Sequence, residues 1–247
     1  MIANLKPGET VREPTVPEPA SIFCATASGR VDLANLRGSD IDLVAIGEQL
    51  AKIPRYNGAT PGVVWPVASH LVLCGRMAAQ WFPEHGPVLA LHCLLHDAHE
   101  AILGDRPRPV ERWLAEWREP YIDDQIGPYR RDPALGDVAD WIDALICGVV
   151  GIDPPDRNLA SVIAHIDNLA IVAEWRQLMP HLHADAHGLK AVGGDVPLDL
   201  PRPIWRLRPP TSWHIAQDQW LRAVTTTAAQ ACATGPAIQA LAARYGG

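Results

Sequence analysis

The chain has 247 residues, of which 48% are hydrophobic and 20% are charged. A chain of this length makes one to two domains at roughly 150 residues per domain, and its composition excludes a wholly disordered or fibrous protein. The net charge of −7 argues against a general binder of polymeric nucleic acid, which needs a dense cationic surface, but it allows a local basic pocket for a small anion.

The N-terminal part is predicted to be a lead-in with a short β hairpin. Four prolines fall within residues 1–20, which favours an extended segment. The stretch SIFCATASGRVDLA places β-branched residues around Ser28 and Gly29, which is typical of a hairpin. Asp40 is the expected cap of a helix through IDLVAIGEQLAKI that ends at Pro54, and residues 55–66 carry turn signals.

The rest of the chain is predicted to be helical. Apolar residues recur at helical spacing over residues 67–81, 87–103, 110–126, 137–150 and 157–178. Gly104 is a stop signal, residues 180–210 are expected to form a loop or linker, and a helix pair broken near Gly235 is expected over 212–245. The sequence therefore predicts a mostly α fold with a short β-containing N-terminal segment and a C-terminal helical extension.

The cysteines and the apolar runs indicate a cytoplasmic protein. The five cysteines are far apart and form no CxxC pair, so we expect free thiols in a reducing compartment. The N-terminal stretch MIANLKPGETVREP has no apolar h-region, so no secretory signal is expected. No run approaches the ~18 apolar residues of a membrane span, so no membrane partner is expected either.

The segment LHCLLHDAHEAILGDRPRP, residues 91–109, places ionisable groups in an otherwise apolar helix. Burying unpaired charge costs several kcal/mol unless something compensates it, and a divalent cation compensates clustered carboxylates and imidazoles. His96 and Glu100 are four residues apart and so share a helix face. Asp97 lies ~100° round the helix and can reach the same centre.

Two other predicted helices carry a polar residue in an apolar stripe. These are His70 in VASHLVLCGRMA and Asp167 in SVIAHIDNLAIVAEW, and each is also open to interpretation as a hydrogen-bonded core residue. With His96 and Asp97 they would supply two imidazoles and two carboxylates. That set suits one divalent ion of Co, Mn, Fe, Zn or Mg, and since no thiolate is expected nearby, a closed structural zinc site is disfavoured.

The order of these residues resembles the HD-domain metal-dependent phosphohydrolases. HDAHEAILGDRPRPV is similar to the HDxxExxxGDxPxPV stretch of the bacterial 5′-deoxynucleotidases and related phage and bacterial nucleotide phosphohydrolases, and RYNG, VASH and SGRVDL upstream also match. The resemblance implies an HD-domain helical bundle over residues 38–178. The remaining parts would be the lead-in, 1–37, and the linker with the helical extension, 179–247.

The resemblance also implies roles for individual residues. The metal ligands would be His70, His96, Asp97 and Asp167. The catalytic residues would be Glu100 as acid/base, Asp105 as a second carboxylate and Arg55, which can neutralise charge on the phosphoryl oxygens. The substrate-binding residues would be Arg55, Tyr56, Asp105, Arg106, Pro107 and Arg108.

The chain departs from the deoxynucleotidase pattern at some of these positions. Tyr56 stands where that branch has Trp, Arg106 and Arg108 stand where it has uncharged residues, and Glu111 stands where it has Lys. Extra guanidinium charge beside a phosphate site favours a longer polyphosphate. Trp65, near the Arg55 loop, is a further candidate for stacking on a base.

The implied function is metal-dependent hydrolysis of (deoxy)nucleoside 5′-phosphates, with a 5′-nucleotidase acting on deoxynucleoside monophosphates as the first hypothesis. The alternatives are a (deoxy)nucleoside triphosphate triphosphohydrolase or pyrophosphohydrolase, a non-catalytic nucleotide-sensing module, and cleavage of a cyclic or oligonucleotide messenger. The expected partner is a small nucleotide. Because subunit contacts are common in the family, a homo-oligomer is one alternative for the assembly.

Overall fold

The structure is a computed structural model that describes residues 21–107, 110, 135–179 and 206–245. Over these residues the chain is mostly α-helical, with a two-stranded sheet near its N-terminus. The fold class predicted from the sequence is therefore confirmed. Residues 111–126 of the helix predicted over 110–126, and residues 180–205 of the linker predicted over 180–210, lie outside the described residues.

The N-terminal hairpin consists of β1 (Phe23–Thr26) and β2 (Gly29–Asp32). The strands are antiparallel, and their register pairs Phe23 with Asp32 and Thr26 with Gly29 across a two-residue loop. Val31 is the buried residue of this hairpin and contributes to the core. The predicted hairpin is confirmed.

Helix α1 comprises Leu43–Lys52 and begins two residues later than a helix capped by Asp40 would begin. Asp42 is the N-cap, and its carboxylate accepts from Val44 N at 2.8 Å. Asp40 instead ends a short 3₁₀ turn and accepts from Arg37 N. The prediction of Asp40 as the cap was wrong because Asp42 has the extended backbone of an N-cap directly before the helix.

The two central helices are α2 (Val67–Trp81), which has the predicted bounds, and α3 (Gly86–Leu95). The predicted helix over 87–103 is not continuous. It breaks after Leu95 and resumes as the single turn α4 (Glu100–Leu103), and Gly104 with φ 79° ends it as predicted. Between them Ala98 N donates to Leu95 O, an i→i+3 bond that tightens the chain at the His96–Asp97 dipeptide.

The remaining helices agree with the sequence periodicity. They are α5 (Leu135–Val150), α6 (Arg157–Leu178), α7 (Trp213–Gln230) and α8 (Pro236–Tyr245). Asp156 caps α6, and the break between α7 and α8 falls at residues 231–235, as predicted. None of the described helices is long and apolar enough to cross a membrane.

Two apolar clusters form the core, and α2 contributes to both. One joins α1, α2 and α3 to α7 and to parts of α5 and α8, and the other joins α2 and α3 to α6. Trp220 of α7 is fully buried in the first cluster and donates its indole N–H to Leu94 O at 2.8 Å. Helix α2 therefore packs against other helices on two sides, and this packing fixes the positions of its side chains.

Candidate metal centre and its surroundings

Helix α2 places His70 in the interior of the protein. The side chain is fully buried, and its Nε2 lies 3.1 Å from Asp167 Oδ1 on α6 and 3.7 Å from Asp97 Oδ2. His70 Nδ1 lies 2.7 Å from Glu174 Oε1, also on α6. One nitrogen of the imidazole therefore contacts Glu174, and the other faces the carboxylates of Asp97 and Asp167.

His96 occupies the tight turn after α3. Its Nδ1 donates to Cys93 O at 3.0 Å, since a carbonyl oxygen can only accept. Its Nε2 lies 3.3 Å from Asp97 Oδ2 and 3.9 Å from Asp167 Oδ1. This nitrogen is buried and makes no hydrogen bond within the described part of the chain. Nε2 of His96 thus points into the same space as Nε2 of His70, and the two rings are 5.5 Å apart between centroids.

The structure brings together all of the metal ligands predicted from the sequence: His70, His96, Asp97 and Asp167. They come from α2, the turn after α3, and α6, which are far apart in the chain. Ligand atoms of His70, His96 and Asp167, together with Cys74, lie within 4.8 Å of one another. This part of the protein is a cluster of His, Cys and Asp side chains that could hold a metal ion.

Cys74 is a member of the cluster that the sequence analysis missed. Its Sγ lies 3.5 Å from His70 Nε2. The expectation that no thiolate is nearby overlooked this cysteine. Burial raises the pKa of the Cys74 thiol well above its ordinary value, so without a cation the sulfur is protonated. Its position four residues after His70 on one helix face was the signal that could have found it.

The cluster holds strong internal electrostatic interactions. Burial acts to raise the pKa of Asp167, but the neighbouring His70 and His96 imidazoles outweigh burial and hold it well below its usual range. Burial acts to lower the pKa of His96, but the charges of Asp97 and Asp167 raise it well above the ordinary value. The two carboxylates are thus ionised and draw positive charge into the cluster.

Glu100 lies beside the cluster at the start of α4. Ligand atoms of Asp97, His99 and Glu100 are within 4.8 Å of one another. The Glu100 side chain is buried, and its Oε2 makes no hydrogen bond. Burial, followed by the charges of Asp97 and Asp105, raises the pKa of Glu100 to about 9. A carboxyl group in this environment holds its proton at neutral pH, and in that form it can donate the proton to a bound group.

Asp105 and the residues after it follow the Gly104 stop. Burial raises the pKa of Asp105, and the backbone N–H of Tyr56 donates to its carboxylate, which ties this stretch to the Arg55 loop. Arg106 and Pro107 are half-buried, and Arg106 Nε makes no hydrogen bond. Arg108 lies outside the described residues.

Arg55 reaches the cluster from the loop between α1 and α2. The side chain is buried, and its Nη1 lies 3.5 Å from Asp97 Oδ2. Its backbone N donates to Trp65 O, which closes the loop at its base. Tyr56 and Asn57 both have left-handed backbones, with φ of 58° and 52°, a conformation that is costly for side chains of this size.

Glu174 is the second residue that the sequence analysis missed. Its carboxylate is fully buried and accepts from Tyr56 OH, from Trp65 Nε1 at 2.8 Å and from His70 Nδ1. Its position seven residues after Asp167 in an apolar helix, two turns along the same face, was the available signal. Since Trp65 is buried and donates to Glu174, the expectation that it stacks on a base was wrong.

Asp143 of α5 extends the polar surroundings on the side of His99. Its Oδ2 lies 2.9 Å from His99 Nδ1. Burial raises the pKa of Asp143 although His99 opposes the shift. The pair joins α5 to the turn after α3, and nothing in the sequence pattern indicated it.

Part of the chain is similar to a known protein. No protein-family model matches the chain. An uncharacterized protein of Rhodobacter capsulatus is 39% identical over 83 residues, which make up 33% of this chain and 42% of that relative. The chain therefore spans less than half the length of the relative that it matches.

Proposed function

We propose that this protein is a metal-dependent phosphohydrolase of the HD-domain type that hydrolyses (deoxy)nucleoside 5′-phosphates, with deoxynucleoside monophosphates as its substrates. The observation that carries the proposal is the convergence of His70, His96, Asp97 and Asp167 beside a buried guanidinium, with Arg55 Nη1 at 3.5 Å from Asp97. The convergent carboxylates and imidazoles suit a cation, and the arginine suits an anion next to it.

The donor set fits a divalent cation. His96 Nε2 is buried without a hydrogen bond, and His70 Nε2 faces the same two carboxylates, so both imidazoles present a nitrogen to one centre. Two nitrogens and two oxygens suit ions such as Mn, Co, Fe, Zn or Mg. When bound, such an ion supplies Lewis acidity toward a phosphoryl oxygen and lowers the pKa of a coordinated water.

The chain's own residues would supply proton transfer and charge compensation. Glu100 is placed for proton transfer at Oε2, the buried oxygen that has no hydrogen-bond partner among the described residues. Arg55 carries a fixed positive charge, which stabilises negative charge on the equatorial oxygens of a phosphoryl group in transfer. Asp105 holds the Arg55 loop through the Tyr56 backbone N–H. No covalent nucleophile is needed.

A triphosphohydrolase or pyrophosphohydrolase acting on (deoxy)nucleoside triphosphates is the second candidate. Arg106 Nε is buried and makes no hydrogen bond to any residue that the structure describes, so this guanidinium has a donor for a further phosphate. The other elements of the site would act in the same way for either substrate.

The proposed partner is a small nucleotide, and the proposed location is the cytoplasm. All five cysteines are free thiols in the structure, as expected for a reducing compartment.

The test is hydrolysis of a nucleotide panel with added Mn²⁺, Co²⁺ or Mg²⁺, in which mono- and triphosphates and deoxy- and ribonucleotides are compared. Release of inorganic phosphate from monophosphates supports the first candidate, whereas pyrophosphate or tripolyphosphate from triphosphates supports the second. His96→Ala should abolish turnover, and His85→Ala, a change at a more exposed histidine away from the cluster, should not.

Two results would contradict the proposal. Turnover in His96→Ala equal to that of the parent would remove the cluster from the chemistry. A parent chain that binds metal and nucleotide but hydrolyses no member of the panel would indicate a nucleotide-sensing module instead.

A further inference from the structure

The strongest unexplained feature outside the predicted site is the charge of Glu174. Its carboxylate is fully buried in α6, and both of its oxygens lie beside hydrogen-bond donors of other parts of the chain. A buried carboxylate is costly unless its oxygens are all paired. Each Glu174 oxygen has a different set of partners, so the two can be considered in turn.

The Oε1 atom faces the cation cluster. It lies 2.7 Å from His70 Nδ1 and 2.8 Å from Trp65 Nε1. An ionised carboxylate only accepts hydrogen bonds, so His70 must carry its proton on Nδ1. In neutral His70 the lone pair is then on Nε2, which faces Asp167 and Asp97. Such carboxylate–histidine contacts fix the tautomer and ring orientation of metal-binding histidines.

The Oε2 atom faces the Arg55 loop. It accepts from Tyr56 OH and lies 3.4 Å from Arg55 Nε. Tyr56 has a left-handed backbone, and such strained residues persist only where their surroundings hold them. The guanidinium of Arg55 extends from Glu174 at Nε to Asp97 at Nη1, so Glu174 sets how far this cation reaches into the site.

We propose that Glu174 is a positioning residue that fixes both halves of the site, the cation-binding orientation of His70 through Oε1 and the anion-binding loop of Arg55 and Tyr56 through Oε2. The inference rests on the proposed function in its second half, because only that function gives the arginine an anionic substrate. Its first half concerns cation binding alone.

The experiment compares Glu174→Gln with the parent chain and with Glu48→Gln, a change at a partly exposed glutamate of α1. The amide keeps the size of the side chain, but its nitrogen cannot accept a hydrogen bond, and the variant removes the negative charge beside Arg55 Nε. Titration calorimetry and visible absorption with Co²⁺ measure cation binding without any nucleotide, and kcat and KM are measured at saturating Co²⁺.

We expect Glu174→Gln to weaken Co²⁺ binding by about 10–100-fold, to alter the Co²⁺ absorption bands and to raise KM at saturating metal. Glu48→Gln should match the parent in all of these measurements. A purely structural role would lower the melting temperature but leave the Co²⁺ affinity and KM of the folded protein unchanged, and that result would overturn the inference.

The two proposals can fail separately. If the parent binds Co²⁺ and hydrolyses no nucleotide, but Glu174→Gln binds Co²⁺ more weakly, the proposed function fails and the positioning of His70 stands. If the parent hydrolyses nucleotides and Glu174→Gln has the parent's Co²⁺ affinity and KM, the positioning role fails and the function stands. A parent that binds no Co²⁺ overturns the inference.

Glu174→Asp covers the case in which the glutamine variant does not fold. It keeps the charge, but a side chain one methylene shorter cannot reach His70 and the Arg55 loop together. We expect Co²⁺ binding between that of the parent and that of Glu174→Gln, and an affinity and KM equal to the parent's would overturn the inference.

Discussion

Glu100 has its carboxyl group next to two other carboxylates in a buried position. With its pKa raised to about 9, the side chain is neutral at pH 7 in the structure described. A glutamine at this position has nearly the same shape and charge as a protonated glutamate. The two side chains differ in that glutamine cannot transfer a proton. A glutamine at this position therefore tests the role of Glu100 in catalysis without a change in charge that would affect stability.

We therefore predict that Glu100→Gln lowers kcat by about 10²–10⁴-fold, the range for a general acid–base residue, and leaves the melting temperature at pH 7 unchanged. Steady-state kinetics and thermal unfolding of the same preparation check both parts. Glu84→Gln, at an exposed glutamate, is the matched control. A kcat within a few-fold of the parent's would remove Glu100 from proton transfer.

The buried side chain of His92 is expected to make the stability of the folded protein depend on pH. It is buried on α3, and burial lowers its pKa below the ordinary value of 6.5. The unfolded chain therefore binds a proton at a higher pH than the folded chain, and stability falls as the pH drops below about 6.5.

Replacement of His92 by glutamine removes this titration. Denaturant unfolding at pH 7.5 and pH 5 should show a smaller loss of stability at low pH for His92→Gln than for the parent. His85→Gln, at a more exposed histidine with the same chemistry, should keep the parent's pH dependence. An equal loss in the parent and in His92→Gln would show that His92 does not contribute.

At the scale of elements, α1 and α7 approach each other closely at Gly47. A Cβ at this position would lie 2.9 Å from Trp220 Cε3, closer than real Cβ contacts allow. Trp220 is fully buried and its indole N–H is bonded to Leu94 O, so the ring cannot move away freely. Gly148 on α5 has no atom within 4 Å of such a Cβ.

These two glycines form a matched pair of tests. Gly148→Ala should stabilise the protein by about 0.5–1 kcal/mol, because alanine loses less backbone entropy than glycine in a helix. Gly47→Ala should have a free energy of unfolding about 1–3 kcal/mol lower than that of Gly148→Ala, because the added methyl group would overpack the contact with Trp220. The free energy of unfolding in denaturant measures both, and equal values for the two variants would contradict the close packing of α1 on α7.

At the scale of the whole molecule, the C-terminal helices are part of the main core. Besides Trp220, residues Leu221 and Val224 of α7 and Leu241 of α8 are buried in the cluster that contains α1, α2 and α3. Helix α2 carries His70, so the segment predicted as an extension also supports one side of the cation cluster.

A chain that ends at residue 211 should therefore lose both its cooperative unfolding and its Co²⁺ binding. Circular dichroism during heating and calorimetry with Co²⁺ test this expectation, with the full chain as the control. A shortened chain that melts cooperatively near the temperature of the full chain would show that residues up to 211 fold on their own. Such a result would assign α7 and α8 a separate role.

The sequence by itself determined the helices and the candidate ligands. The bounds of α2 and α6 and the position of His70 and Asp167 in apolar stripes follow from a periodicity that the local chain specifies. The break between α3 and α4 could not be predicted in this way, because apolar spacing is compatible with both i→i+3 and i→i+4 bonding. The capping of α1 by Asp42 rather than Asp40 was equally ambiguous, since both are good N-cap residues.

Only the tertiary structure decided the contacts between residues that are distant in the chain. Glu174 lies 104 residues from His70 and 118 from Tyr56, and the pair of His99 and Asp143 spans 44 residues. Local periodicity states which face of a helix is apolar, but not which helix will lie against that face. The partners of a buried charge are set by that packing, and here the packing placed one carboxylate between the cation cluster and the arginine loop.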